Sequence, residues 1–220
     1  MFIGHYAVGL AAKKVAPEAS LGTLLLACQL ADLLWPLFLL LGWEEVRVAE
    51  GITAVTPFDF VHYPYSHSLL TVLGWGALFY LVYKYLGRGA ARTGRVLGAV
   101  VVSHWVLDWI THRPDLPLYP GGTARMGLGL WNSLPATLAV EGLLFAAAVW
   151  LYLRATRARN GTGAIALWAL IALLVALYLA NLFGPPPPAD NLGAVIGAGL
   201  AMWLLVAWGY WIDRNREIAG

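Results

Sequence analysis

Six apolar stretches of about 20 residues dominate the sequence, and each is long enough to cross the hydrocarbon core of a bilayer as a helix. A shorter apolar helix over residues 1–12 precedes them and ends at Lys13 and Lys14, the reverse of the charge order in a signal peptide. We therefore expect an all-α integral membrane protein with six transmembrane helices plus a short N-terminal apolar helix. The predicted spans are about 19–42, 67–86, 95–112, 134–153, 163–183 and 192–212.

The low fraction of charged residues agrees with a membrane protein. Charged residues make up 12% of the chain, against about 25% in soluble domains, which excludes a soluble enzyme and a disordered chain. The same composition argues against a nucleic-acid partner, while the formal net charge of +2 is unremarkable as a sum. The single cysteine, Cys28, excludes a disulfide framework and a cysteine-rich zinc site.

The placement of the positive charges predicts the topology. Except for Arg47, Arg113 and Arg125, the 14 Lys and Arg residues form clusters at alternate span boundaries. The positive-inside rule places these clusters in the cytoplasm. We expect a multi-pass membrane protein with a cytoplasmic C-terminus and an acidic first outer loop at 43–66. The clusters are Lys13/Lys14, Lys84 to Arg95, Arg154/Arg157/Arg159 and Arg214/Arg216.

Ionisable residues inside the predicted spans point to a functional site. Such residues are costly in hydrocarbon and usually face an interior where they bind or react. All five histidines precede residue 113, so we divide the single membrane domain, 1–220, into a metal-site half at 1–120 and a helical scaffold half at 121–220. The ionisable residues in the apolar segments are His5, Asp32, His67, His104, Asp108, His112 and Glu141.

The sharpest local pattern is His104, Asp108 and His112, spaced four residues apart on one predicted helix. Side chains at that spacing share a helix face. Imidazole nitrogens and a carboxylate on one face can hold metal ions, or can simply pair with one another.

Helical rise places the remaining residues at similar depths. Asp32 lies roughly 20 Å from the cytoplasmic start of its span, Glu141 about 10 Å from the outer end of its own, and His5 about 12 Å from Lys13. His67 opens the second predicted span on the side where the His104 helix ends. This convergence favours a metal site over separate structural pairs.

The same residues, in the same order, resemble the bacterial inner-membrane metal-dependent hydrolases of the YdjM-like family. The resemblance covers residues 1 to about 120. The motifs on which it rests are Gly4-His5, Leu30-Ala-Asp32, Ser66-His67-Ser68, and Ser103-His104 with Asp108.

That family is distantly similar to the zinc-dependent phospholipase C and single-strand nuclease superfamily. The superfamily holds zinc ions with His and Asp, and its His-x-x-x-Asp helix matches His104 and Asp108. The resemblance implies hydrolysis of a phosphoester with a divalent cofactor: zinc, with manganese as the alternative, and two ions in the site. The superfamily also has a His-x-x-x-Glu pair later in the chain. Here Thr137 occupies the histidine position before Glu141, so a full three-metal cluster is not expected.

Our first hypothesis is therefore a membrane-embedded metal-dependent hydrolase acting at the outer leaflet on a lipid or lipid-linked phosphoester. Glu141 and Asp108 are the expected catalytic residues, and Glu141 could instead pair with Arg113 or Arg125 on the outer rim. The expected partner is a membrane lipid or other amphiphilic substrate, and a homo-oligomer stays open. The expected metal ligands are His5, Asp32, His67, His104, Asp108 and His112.

Two other functions use the same residue types. Intramembrane His and Asp also mark pathways for protons or divalent metals in transporters and channels. Two histidines on facing helices can hold a haem. The polar residues are concentrated on the predicted outer side, which disfavours a transport path, and the carboxylates favour a hard or borderline cation over haem. The roles of His62, His112 and Glu141 stay open.

Overall fold

The computed structural model describes residues 1–87, 89–188 and 191–219. Within these ranges the chain is mostly helical. Ser or Asn side chains cap the amino ends of five helices by accepting a backbone N–H, as at Ser20 and Ser68. The helices are α1 (Ile3–Ala12), α2 (Leu21–Cys28), α3 (Leu30–Leu40), α4 (Pro64–His67), α5 (Leu69–Tyr85), α6 (Ala91–Thr111), α7 (Leu134–Ala155), α8 (Gly161–Phe183) and α9 (Leu192–Arg214).

The expectation of an all-α fold is wrong in detail, because the connections between helices form three antiparallel strand pairs. Loop backbone outside an apolar region still needs hydrogen-bond partners, and short hairpins supply them. The β1–β2 pair lies between α3 and α4, and β5–β6 joins the end of α7 to the end of α9. The strands are β1 (Glu45–Val48), β2 (Phe58–His62), β3 (Leu116–Pro117), β4 (Arg125–Met126), β5 (Thr156–Ala158) and β6 (Arg216–Ile218).

The described residues support fewer spans than the six predicted. Three helices, α7, α8 and α9, are long and apolar enough to cross a membrane, and α2 with α3 makes a fourth candidate that bends by 58°. The predicted span 67–86 gives α5, which has only 17 residues. The predicted span 95–112 lies in α6, whose Arg92, Arg95 and Asp108 lower its apolar character. The short N-terminal helix is observed as α1.

The predicted cytoplasmic clusters meet at one end of the molecule. Lys13 Nζ lies 2.8 Å from Asp213 Oδ1, and Thr93 donates to a Glu18 carboxylate oxygen at 3.1 Å. The β5–β6 pair brings the Arg157 and Arg216 segments together at the same end. Arg88, which belongs to the second cluster, lies outside the described residues.

Close packing of α1 and α2 against α6 positions the opposite half of the molecule. Tyr6 and Leu10 of α1 and Leu24 of α2 are almost completely buried. Gly9 is required at the α1–α2 contact, since a Cβ there would lie 2.7 Å from Cys28 Sγ. The chain bends by 58° at Gln29, between the end of α2 at Cys28 and the start of α3 at Leu30.

Candidate metal centre

Asp108, near the carboxyl end of α6, is the centre of a buried cluster of side chains. Its Oδ1 lies 3.0 Å from His5 Nε2 and 3.8 Å from His112 Nε2. Its Oδ2 lies 3.2 Å from His104 Nε2 and 3.8 Å from His67 Nε2. One carboxylate therefore faces the Nε2 atoms of four histidines: His5 of α1, His67 of α4, His104 of α6, and His112 directly after α6.

Asp32, in the first turn of α3, supplies a second carboxylate. Its Oδ1 lies 3.3 Å from His67 Nε2 and 3.6 Å from His104 Nε2. Two groups of potential ligands result, in each of which the ligand atoms lie within 4.8 Å of one another. The first is His5, His104 and Asp108, and the second is Asp32, His67 and His104. His104 belongs to both groups.

The helix break at Gln29 orients His104. Cys28 is the last residue of α2, so its carbonyl has no partner further along that helix. His104 Nδ1 lies 2.9 Å from this oxygen and must donate to it, because a carbonyl only accepts. The Nε2 atom then carries a lone pair that points at the two carboxylates. Among the described residues this buried atom makes no hydrogen bond.

A chain of hydrogen bonds orients His67 in the same way. Ser66 Oγ donates to Glu44 Oε2 at 2.6 Å, so it accepts from His67 Nδ1 at 2.7 Å. Glu44 is itself buried and accepts the backbone N–H groups of Tyr65 and Ser66, both at 2.8 Å. The Nε2 of His67 is thereby left as an acceptor that faces the cluster.

His112 is anchored by Asp115. Its Nδ1 lies 2.9 Å from Asp115 Oδ1, which also accepts from the Tyr63 hydroxyl at 2.9 Å. Arg113 donates to the other oxygen of Asp115 at 3.0 Å. Burial and the Asp115 carboxylate raise the pKa of Tyr63 well above its ordinary value, so this hydroxyl stays a donor. Histidines held by carboxylates in this way are characteristic of metal sites.

The cluster has a surplus of acceptors at its centre. Three imidazole lone pairs and two carboxylates face one another. The Met1 ammonium donates to Asp108 Oδ1 at 2.6 Å, but among the described residues the buried His104 Nε2 has no donor, which is unfavourable unless a further cation or added protons lie in the cluster. The rings of His5 and His104 stack at 3.7 Å with an interplanar angle of 3°, a contact that two imidazolium ions would disfavour. Buried acceptors without donors are rare in native proteins, so the donor set fits a bound divalent metal.

Glu141 lies beside this cluster on α7, with its side chain over the amino end of α1. Its Oε2 accepts the backbone N–H groups of Phe2 at 2.9 Å and Gly4 at 3.2 Å. It does not pair with Arg113, which binds Asp59 and Asp115, or with Arg125, which donates to backbone carbonyls. The expected alternative of a rim ion pair for Glu141 is therefore wrong.

One cavity of about 710 Å³ opens onto the cluster. Its polar wall is formed by Asp32, His67, Asp108, His112 and Glu141. Further walls come from Met1 and Phe2, from the loop at 50–58, from the segment at 184–187, and from residues of α8 and α9 that are mostly apolar, with Asn181 as a polar member. His62, by contrast, is exposed on β2 opposite Glu45 and does not line this cavity.

The model of the YdjM inner membrane protein family matches residues 1–185. The chain belongs to this family. The match extends well past the residues 1–120 that carry the resemblance seen in the sequence. No curated protein and no solved structure matches the chain. Together with the apolar helices, membership of the YdjM family identifies a multi-pass protein of the inner membrane.

The sequence did not predict which residues orient the candidate ligands His67 and His112. Ser66 stood next to a candidate ligand, but Glu44 looked like one of several acids in an exposed loop, and it is 22 residues away from Ser66. Asp115 follows His112 by three residues, a spacing that could have indicated a side-chain pair. The role of Glu44 is visible only from its contact with Ser66 in the folded chain.

We expect Glu44→Gln to weaken metal binding about 10- to 100-fold, because outer-shell partners of metal-bound histidines have effects of this size. The glutamine amide donates a hydrogen bond where Ser66 Oγ now donates, which reverses the orientation of the chain that ends on His67. Glu45→Gln is the matched control, since the Glu45 side chain is half exposed and pairs with Arg47 away from the cluster. Titration of the metal-free proteins with zinc measures both affinities, and equal values would remove Glu44 from the site.

Proposed function

We propose that the protein is a metal-dependent hydrolase of a phosphoester. The observation that supports this most strongly is the unpartnered Nε2 of His104, which lies between Asp32 and Asp108 and belongs to both ligand groups. A mixed His and carboxylate set suits zinc, with manganese as the alternative. The two groups that share His104 favour two ions. The ligands would be His5, Asp32, His67, His104, Asp108 and His112.

A divalent metal in this cluster would supply Lewis acidity, which activates water and neutralises charge on a phosphoryl group. The later His-x-x-x-Glu pair of the wider phospholipase C and nuclease superfamily is incomplete here, so a full three-metal cluster is not part of the proposal. Thr137 stands where that superfamily has a histidine, and its hydroxyl donates to the backbone carbonyl of Leu130 at 3.0 Å. The distant resemblance to that superfamily supports phosphoester chemistry.

Glu141 is placed to act as the general base. Its Oε2 is occupied by the two N–H groups of α1, whereas in the described part of the chain no group donates a hydrogen bond to Oε1. Glu141 also lines the cavity next to Asp108 and His112. Oε1 would take a proton from water at the cluster, while Oε2 holds the carboxylate in a fixed orientation.

The reaction would take place at the outer leaflet. The cluster lies at the end of the molecule that carries the 43–66 and 113–133 loops, opposite the Lys and Arg clusters that the positive-inside rule assigns to the cytoplasm. The protein would then present the site to a lipid or lipid-linked phosphoester outside the cytoplasm, with its C-terminus inside.

The function is tested by phosphoester hydrolysis in detergent with protein stripped of metal and then reloaded with zinc or manganese. The proposal requires turnover that disappears with the metal and returns on reloading. Uptake of zinc into sealed proteoliposomes, without hydrolysis of any phosphoester offered, would instead support the transporter hypothesis.

We expect single cysteines at Glu50 and Arg157 to react with an impermeant thiol reagent from opposite sides of the membrane. Glu50 lies in the loop beside the cluster, and Arg157 is exposed at the opposite end. Labelling of intact spheroplasts against inverted vesicles distinguishes the sides. Cys28 is buried and provides an unreactive background. Labelling of both sites from one side would contradict the orientation.

A further inference from the structure

The cavity at the metal centre is much larger than a phosphoryl group requires, and most of its excess length is apolar. Its volume of about 710 Å³ falls in the range of pockets that hold whole small molecules. From the cluster it continues past Tyr178 into a space between α8 and α9. Both of these helices are candidate membrane spans.

Small side chains keep this space open on α9. Ala194 and Ala198 line the cavity and are exposed, and Met202 and Leu205 form its deeper wall. The lining along α9 extends over 12 residues from Ala194 to Leu205, or about 16 Å at helical rise. We call the part of the cavity between α8 and α9 the inter-helix slot.

The far side of the slot is closed by tight packing. At Gly199 a Cβ would lie 2.9 Å from Pro36 Cβ, so α9 contacts α3 closely at this level. The slot therefore has a closed wall toward α3, an open side along α8 and α9, and a polar end at Asp108 and Glu141. This shape is that of a pocket for an elongated, amphiphilic molecule.

The surroundings identify the occupant of the slot. Within the hydrocarbon layer, an apolar crevice open to lipid is filled by hydrocarbon chains, since an empty gap loses dispersion contacts. Asn181, near the carboxyl end of α8, adds a polar side chain to a lining that is otherwise mostly apolar along α8 and α9. At the polar end, a cluster suited to divalent cations is complementary to an anionic phosphate.

We infer that the inter-helix slot binds a hydrocarbon chain of a membrane phospholipid whose phosphate lies at the metal cluster. This inference rests on the proposed function and specifies its substrate as a lipid that enters sideways from the bilayer between α8 and α9. A water-soluble phosphoester would reach the same cluster without using the slot.

The inference is tested by photocrosslinking in nanodiscs with phosphatidic acid that carries a diazirine in the middle of one acyl chain. In the wild-type protein the crosslinks map to Met202 and Leu205, in excess over those from a diacylglycerol with the same chains. In the Ala198→Phe variant, crosslinking of the lipid to Met202 and Leu205 falls about tenfold, as expected when roughly two methylenes are displaced from the slot. Ala201→Phe, on an exposed residue outside the cavity, is the matched control and leaves crosslinking unchanged.

Crosslinks confined to outward-facing residues such as Trp203 and Leu204, or equal labelling by diacylglycerol, would overturn the inference. Metal content and hydrolysis of a water-soluble phosphoester are measured on the same preparations, so that a misfolded variant is recognised. Soluble hydrolysis without slot crosslinks refutes the slot alone, whereas absence of metal and of all hydrolysis refutes the proposed function.

Discussion

The Asp108→Asn variant is expected to lose its metal almost completely. The substitution removes the carboxylate that faces the Nε2 atoms of His5, His67, His104 and His112. An amide nitrogen in place of Oδ2 would donate a hydrogen bond to His104 Nε2 and so fill its lone pair without a cation. We expect metal affinity to fall by at least about 10²-fold, beyond the range for outer-shell partners.

The variant should still insert and fold, because the asparagine side chain has the same shape and donates a hydrogen bond to the buried His104 Nε2. Metal content and thermal unfolding of the purified variant measure both properties. Asp213→Asn is the matched control, since it removes a carboxylate charge at the opposite end of the molecule, where Asp213 pairs with Lys13. Full metal content in the Asp108 variant would show that Asp108 is not a ligand.

The second large effect is expected at Glu141, where Glu141→Gln should reduce phosphoester turnover about 10²-fold or more while leaving metal content near the wild-type value. Loss of a general base has an effect of this size. The glutamine carbonyl can still accept the N–H groups of Phe2 and Gly4, so the contact with the amino end of α1 is preserved.

Glu141→Ala separates catalysis from packing at this position. It removes both the base and the cap on α1, so it should lower turnover and also the melting temperature. If the Gln variant turns over substrate at the wild-type rate and only the Ala variant is less stable, Glu141 serves solely to cap α1 and leaves the catalytic set.

Hydropathy alone was enough to locate the three long spans. The predicted spans 134–153, 163–183 and 192–212 lie within α7, α8 and α9 to within two residues. Hydropathy could not show the break in the first predicted span, because Gln29 is a single polar residue within an apolar run. The 17 residues of α5 were likewise too few for the span predicted there.

The side chains brought together at the cluster follow from spacing and depth. His104, Asp108 and His112 share a face of α6, and helical rise placed Asp32 and His67 at a matching level. Helical rise gives the depth of a residue in the membrane but not the direction in which its side chain points. The contact of Glu141 with Phe2, 139 residues away, therefore had no signal in the sequence. Glu44 was hidden for the same reason.

The central claim is that this buried cluster binds a divalent metal, and elemental analysis of the wild-type protein tests it most directly. The protein is purified in detergent without chelators beside Asp108→Asn, and an absorption spectrum is recorded on each sample. We predict stoichiometric zinc, or manganese in its place, in the wild type, its loss in the variant, and no haem absorption in either. A wild-type protein that contains no divalent metal and binds none when titrated with zinc or manganese would contradict the claim.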